Sequence, residues 1–158
     1  MSSEIDNNQS LDEHKKIVEQ FVELTWNQGR FNLARNLVRR DFNYQASLMD
    51  QTIGFDLAAQ MIQMIRHSME DFEVVLEEVV AEGNKVVTQS SFFGTLVKPM
   101  LGFQPCSNVV TFSAISFWHF KKGKIHRLST LLDTAELMRQ MNHEDKNLKL
   151  NLTELENS

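Results

Sequence analysis

Val79-Val80-Ala81-Glu82-Gly83-Asn84-Lys85-Val86 sets the pattern for residues 72–141, where strand-like runs are broken by three polar turns. The other two turns are Gly102-Phe103-Gln104-Pro105 and Lys121-Lys122-Gly123-Lys124, and the run closes on Leu131-Leu132-Asp133. Glycine in a polar tetrad supplies the positive φ that a hairpin needs. Between the turns stand Val86-Val87, Phe92-Phe93, Val109-Val110 and Phe117-Trp118. Such β-branched and aromatic pairs suit a pleated surface. The reading is one curved antiparallel sheet whose turns set strand order and direction.

Working back from the sheet, helical patterns come first in the chain. Ser10-Leu11-Asp12-Glu13 has the form of a capping box and predicts a helix start at Ser10. Ile17, Val18, Phe21, Val22 and Thr25 follow at helical spacing, and Asn27-Gln28-Gly29 ends the pattern. A second short helix is expected over Phe31–Val38, and Asp41–Gln45 alternates like a strand. A third helix, from about Phe55 to Met69, aligns Phe55, Ala58, Ala59, Ile62, Ile65 and Met69 on one stripe that needs a sheet to cover. Helices first and strands after give an α+β layer, with helices on the concave side of one bent sheet. Residues 10–141 form the expected domain. Residues 1–9 are read as a disordered N-terminus and 142–158 as a polar tail.

Composition excludes several function classes. The 158 residues are 42% hydrophobic, which suits one globular domain. The formal charge is −5 with lysine and arginine dispersed, so no basic face is present for nucleic acid. One cysteine, Cys106, offers neither an internal disulfide nor a thiolate metal set, and a cytoplasmic location is the simplest expectation. Residues 1–9 have no apolar core of the signal-peptide kind, and no apolar run reaches the length of a membrane span. The five histidines, at 14, 67, 119, 126 and 143, are scattered without the spacing of a metal site. No metal or other cofactor is expected.

The ordered motifs carry a family resemblance. Val79–Val86, Gly94-Thr95, Gly102–Pro105, Lys122-Gly123-Lys124-Ile125, and Asp133 followed by Leu137-Met138-Arg139-Gln140-Met141 resemble the SnoaL-like polyketide cyclases of the nuclear transport factor 2-like superfamily. The resemblance covers roughly residues 11–141. It implies a cone with a pocket between helices and sheet, and a homodimer packed sheet to sheet. It also implies a proton-transfer role for an acidic residue at the last strand end, here Asp133. Read from the residues alone, Asp133-Thr134-Ala135-Glu136 is a capping box, with Leu132 and Leu137 at the staple positions. Family members often carry Glu-His-Trp-Asp where this chain has Arg127-Leu128-Ser129-Thr130, and a histidine where it has Leu96. Groups that shuttle protons are replaced there by groups that cannot.

Eleven phenylalanines and eight methionines favour a soft apolar lining. Phe92, Phe103, Phe112 and Trp118, with Met69 and Met100, lie in segments that would surround the cone's interior. Tyr44, Thr130 and Trp118 are the candidate hydrogen-bond donors, and Leu96 and Leu128 complete the expected ligand-binding set. Two readings stay open. One is a cofactor-free acid/base cyclase or isomerase acting on an apolar, polycyclic polyketide-like molecule through Asp133. The other is a noncatalytic ligand-binding or dimerisation module. Whether the Asp133 carboxylate faces the pocket or only caps a helix discriminates them.

Overall fold

The computed structural model describes residues 2–105 and 108–141. Cys106 and the expected tail 142–158 lie outside the described residues. The elements in order are α1 (Ser2–Val22), a π-helical turn (Glu23–Asn27), α2 (Phe31–Ala34) running into a 3-10 turn (Arg35–Leu37), and β1 (Val38–Ala46). After them come α3 (Phe55–Ser68), β2 (Met69–Glu82), β3 (Lys85–Leu96), β4 (Val110–Lys121), β5 (Lys124–Leu132) and α4 (Thr134–Gln140). No helix among the described residues is long and apolar enough to cross a membrane.

The five strands make one sheet in the order β1-β5-β4-β3-β2. The turns behave as their residues demand. Lys122 and Gly123 both have positive φ (52° and 79°), the signature of a type I′ hairpin matched to strand twist. Leu101 and Gly102 do the same at 53° and 81°, closing a small hairpin in which Met100 and Phe103 exchange backbone hydrogen bonds of 3.1 and 2.8 Å. The sheet is mixed rather than antiparallel throughout, because β1 pairs with β5 in parallel. A hairpin dictates the direction of its own two strands; β1 has no hairpin to the sheet and takes its direction from its partner at the other end of the chain.

Two boundaries shift from expectation. The first helix begins at Ser2, so the capping box at Ser10 lies inside it. Residues 2–9 contain neither proline nor glycine, and nothing in them stops the helix from running past a sequence that also suits a start. The second helix ends at Ala34, and Val38 opens β1 instead of closing the helix.

Helices α1 and α3 cover the concave face. Phe21 is the centre of that contact, with ring centroids 5.4 Å from Trp118, 6.3 Å from Phe42 and 6.4 Å from Phe55. Truncating such a buried ring costs about 3–5 kcal/mol. Register places rows of side chains across the inner face: Tyr44-Leu128-Trp118-Val86, then Ala46-Thr130-Ser116-Thr88, then Leu132-Ala114-Ser90, then Phe112-Phe92-Val74. The first row packs near the hairpin ends, beneath α1. The last lies toward the β3–β4 connection.

Candidate functional site

Between the sheet and the helices lies a cavity of about 70 Å³ open to the centre of a water-sized sphere. One water needs only about 10–15 Å³ on that measure, so the space admits a small organic molecule. The strands contribute Tyr44, Ala46, Met69, Phe92, Leu96, Val110, Phe112, Thr130 and Leu132 to its wall. Met61 and Ile65 of α3 close one side. Met100, Leu101 and Phe103 enter from the small hairpin, and Leu137 and Met141 from the α4 end. Among the described residues of the lining, Tyr44 and Thr130 are the only ones with a side-chain oxygen or a charge.

Trp26 completes the wall, and its position was not legible in the sequence. The π turn widens the helix end by one residue per turn, which changes where the following side chains point. Three bonds then fix it. Arg66 Nη1 donates to the Trp26 carbonyl at 2.5 Å, and the Asn27 side chain pairs with the Val74 backbone in both directions, at 2.8 and 3.0 Å. The indole meets Phe92 edge-on at 5.2 Å, and Phe92 stacks on Phe112 at 4.9 Å. These rings form a rigid aromatic floor.

At the other end of the wall three hydroxyls meet. Ser116 Oγ and Thr130 Oγ1 are 2.8 Å apart, and Thr130 and Tyr44 both line the cavity. Burial pushes the Tyr44 hydroxyl above its ordinary pKa, and the Thr130 side chain opposes part of that rise. Tyr44 is therefore a neutral phenol at physiological pH.

α4 closes the cavity from outside through a specific device. β4 begins before its partner β5 ends, with Ala114 opposite Leu132, so Thr111 has no strand on that side. The Gln140 amide takes the strand's place: its Oε1 accepts the Thr111 N–H at 2.7 Å and its Nε2 donates to the Thr111 carbonyl. Leu137 is thereby held in a small apolar cluster with Met69, Leu96, Phe103 and Val110.

Six of the eight expected ligand-binding residues line this cavity: Tyr44, Phe92, Leu96, Phe103, Phe112 and Thr130. Trp118 and Leu128 do not. Both point to the concave face, but one row too far toward the hairpin ends, where they are core at 3% and 6% exposure. Trp118 spends its indole N–H on Thr88 Oγ1 at 2.9 Å, beneath Phe21. Alternation reports which face a strand residue occupies and says nothing of its depth along the strand. Asp133 does not enter the cavity either. It is exposed at the N-cap of α4, where its Oδ1 accepts the Glu136 N–H at 3.1 Å. The capping half of its expected role is observed, and no position facing the cavity is. Among the described residues no three His, Cys, Asp or Glu side chains gather as a metal site.

Comparison with known proteins agrees with this architecture. Similar solved structures include a SnoaL-like polyketide cyclase from Agrobacterium tumefaciens, at a TM-score of 0.69 and 16% identity over 81% of this chain and 97% of that one. An epoxide hydrolase of the LEH-like kind from M. tuberculosis superposes at 0.64, with 18% identity over 84% and 91%. A protein of ketosteroid isomerase-like fold from Catenulispora acidiphila superposes at 0.66, with 12% identity over 81% and 93%. At such identities the likeness is one of fold, the cone of the nuclear transport factor 2-like proteins. No curated protein matches the sequence. The family description "SnoaL-like polyketide cyclase" matches residues 16–141, most of the described chain, and the protein belongs to that family.

Proposed function

We propose that this protein binds one small, largely apolar molecule in the cavity between sheet and helices, and that binding rather than proton transfer is the work of the site. The observation that carries the reading is the lining itself: among the described residues it is apolar on every wall, with the Tyr44 and Thr130 hydroxyls and the Trp26 indole N–H its polar side-chain groups. Cyclisation of a polyketide needs a base against a carbon-bound proton. The carboxylate that the family resemblance nominates, Asp133, is outside the lining and occupied by a helix amide. Four methionines, Met61, Met69, Met100 and Met141, give the wall a deformable surface that adapts to ligand shape.

The test uses methionine methyl NMR with naphthalene as probe. The methyls of Met61, Met69, Met100 and Met141 are expected to shift as the probe is added. Met49, buried in the core and absent from the lining, serves as the internal control. A probe series that leaves all four methyls unmoved up to its solubility limit overturns the binding reading. Turnover of an aromatic polyketide by the wild type, lost in Asp133→Asn, would restore the enzyme reading in its place.

A further inference from the structure

Most of the cavity wall is sheet or α3, and neither yields without unfolding much of the domain. α4 is different. Isolated helices shorter than about 12–15 residues do not hold themselves, and α4 has seven. Its stability therefore comes from its ties to the rest of the chain, and these differ at its two ends. At the first, the Asp133 N–H donates to the Ser113 carbonyl at 3.0 Å, a backbone bond that continues the sheet. At the second the tie is a side chain: the Gln140 amide, bonded to the Thr111 N–H at 2.7 Å and to the Thr111 carbonyl. Within α4 only Leu137 is buried.

From this asymmetry we infer that α4 is the door of the cavity, hinged at Asp133 and latched by Gln140 on Thr111, and that its opening sets the rate at which a guest enters and leaves. The inference rests on the binding reading above and assigns its route. Leu137 and Met141, which line the cavity, are both carried by the moving segment. A helix rises 1.5 Å per residue, so the latch lies about 10 Å from the hinge. A modest rotation then lifts Leu137 off Leu96, Phe103 and Val110, the residues it clusters with. Unlatching strands no polar group. Gln140 Nε2 also donates to Glu136 Oε1 at 2.6 Å, a partner on the same helix that moves with it, and Thr111, half-buried at the end of the sheet, is left to water. Local opening at small cost, beside a binding site, is what a lid requires.

Gln140→Leu and Gln140→Ala remove the latch and leave every lining residue in place. Naphthalene is the probe, and exchange of the Met61 methyl signal between free and bound forms measures both rate constants. A guest that passes through the open state and is then closed over gains from easier opening in both directions. Association and dissociation should therefore both accelerate, each by roughly tenfold, the worth of one to two neutral hydrogen bonds, with Kd nearly unchanged. Damage to the pocket itself would instead raise Kd through dissociation alone. The door also shows without a guest: in wild type the Thr111 amide should exchange with deuterium by local opening, well before the amides of β4 near Trp118. Unaltered rates in both variants, a raised Kd with unaltered association, exchange of Thr111 only together with Trp118, or loss of folding in both variants overturns the inference and leaves the binding reading intact. Naphthalene that fails to bind wild type removes the binding reading, and the deuterium result then decides alone whether α4 opens.

Discussion

Asp133 shows how one residue supports two readings until its surroundings are known. Its side chain accepts the Glu136 N–H, so Asp133→Ala should lower stability by about 1 kcal/mol, whereas Asp133→Asn keeps an accepting oxygen and should cost little. Thermal melts separate the two, and affinity for naphthalene should be unchanged in both. His14 illustrates the opposite case, a residue whose role no motif announced. It sits at 6% exposure, stacked on Phe120 at 4.1 Å, with its Nδ1 buried and unpartnered. Burial lowers its pKa, and a hydrogen bond to the Gly83 backbone offsets part of that. The unfolded chain takes up this proton at about pH 6.5, the folded one only at lower pH. Between those values the unfolded state holds more protons, so stability falls as pH drops below about 6.5. His119 is lowered as well, by burial first and then by Arg127, Lys85 and His126, and adds a loss of the same sign. The difference between wild type and His14→Phe isolates the first share: melting temperature should fall less in the variant on going from about pH 7.5 to about pH 5.

Elements were legible in the sequence wherever a local rule governs them. The glycine turns gave the hairpins of β2 to β5, and the stripe from Phe55 gave α3 within a residue, because both depend on near neighbours. The parallel pairing of β1 and the π turn under Trp26 depend on contacts far along the chain, and no local pattern encodes them. The same division runs through the cavity. The segments around the cone's interior were readable, which brought in Phe92, Phe103 and Phe112, and the family resemblance brought in Leu96; depth along a strand was not readable, which misplaced Trp118 and Leu128. Gly94 links an element to the site. A Cβ there would lie 2.9 Å from Met69 Cε and 3.4 Å from Met69 Cβ. Gly94→Ala should therefore swing the Met69 thioether into the cavity, a flexible response that costs stability little. The expected outcome is a nearly unchanged melting temperature with a several-fold loss of naphthalene affinity, measured by calorimetric titration.

At the scale of the molecule, the sheet has a second face that its own helices do not reach. Register aligns Val80, Val87 and Phe117 across it, with Ile115 opposite Leu131 in the next row. Phe117 is 44% exposed, Ile115 39% and Leu131 63%. Contiguous exposed apolar side chains of this size mark an interaction surface. A second copy packed sheet to sheet is the proposed cover, as the family resemblance implies. Light scattering should give a dimer mass at micromolar concentration and a monomer for Phe117→Glu; a monomeric wild type refutes the arrangement.

The placement of the two tryptophans has an optical consequence. Trp26 forms part of the cavity wall, while Trp118 is sealed at the far end of the cone with its N–H committed to Thr88. The protein thus carries one emitter in contact with any guest and another shielded from it. Guest binding should quench or shift one component of the fluorescence and leave the other as a constant background. Trp26→Phe should silence the response, and Trp118→Phe should leave it as the whole signal, so that occupancy is read from the unlabelled chain.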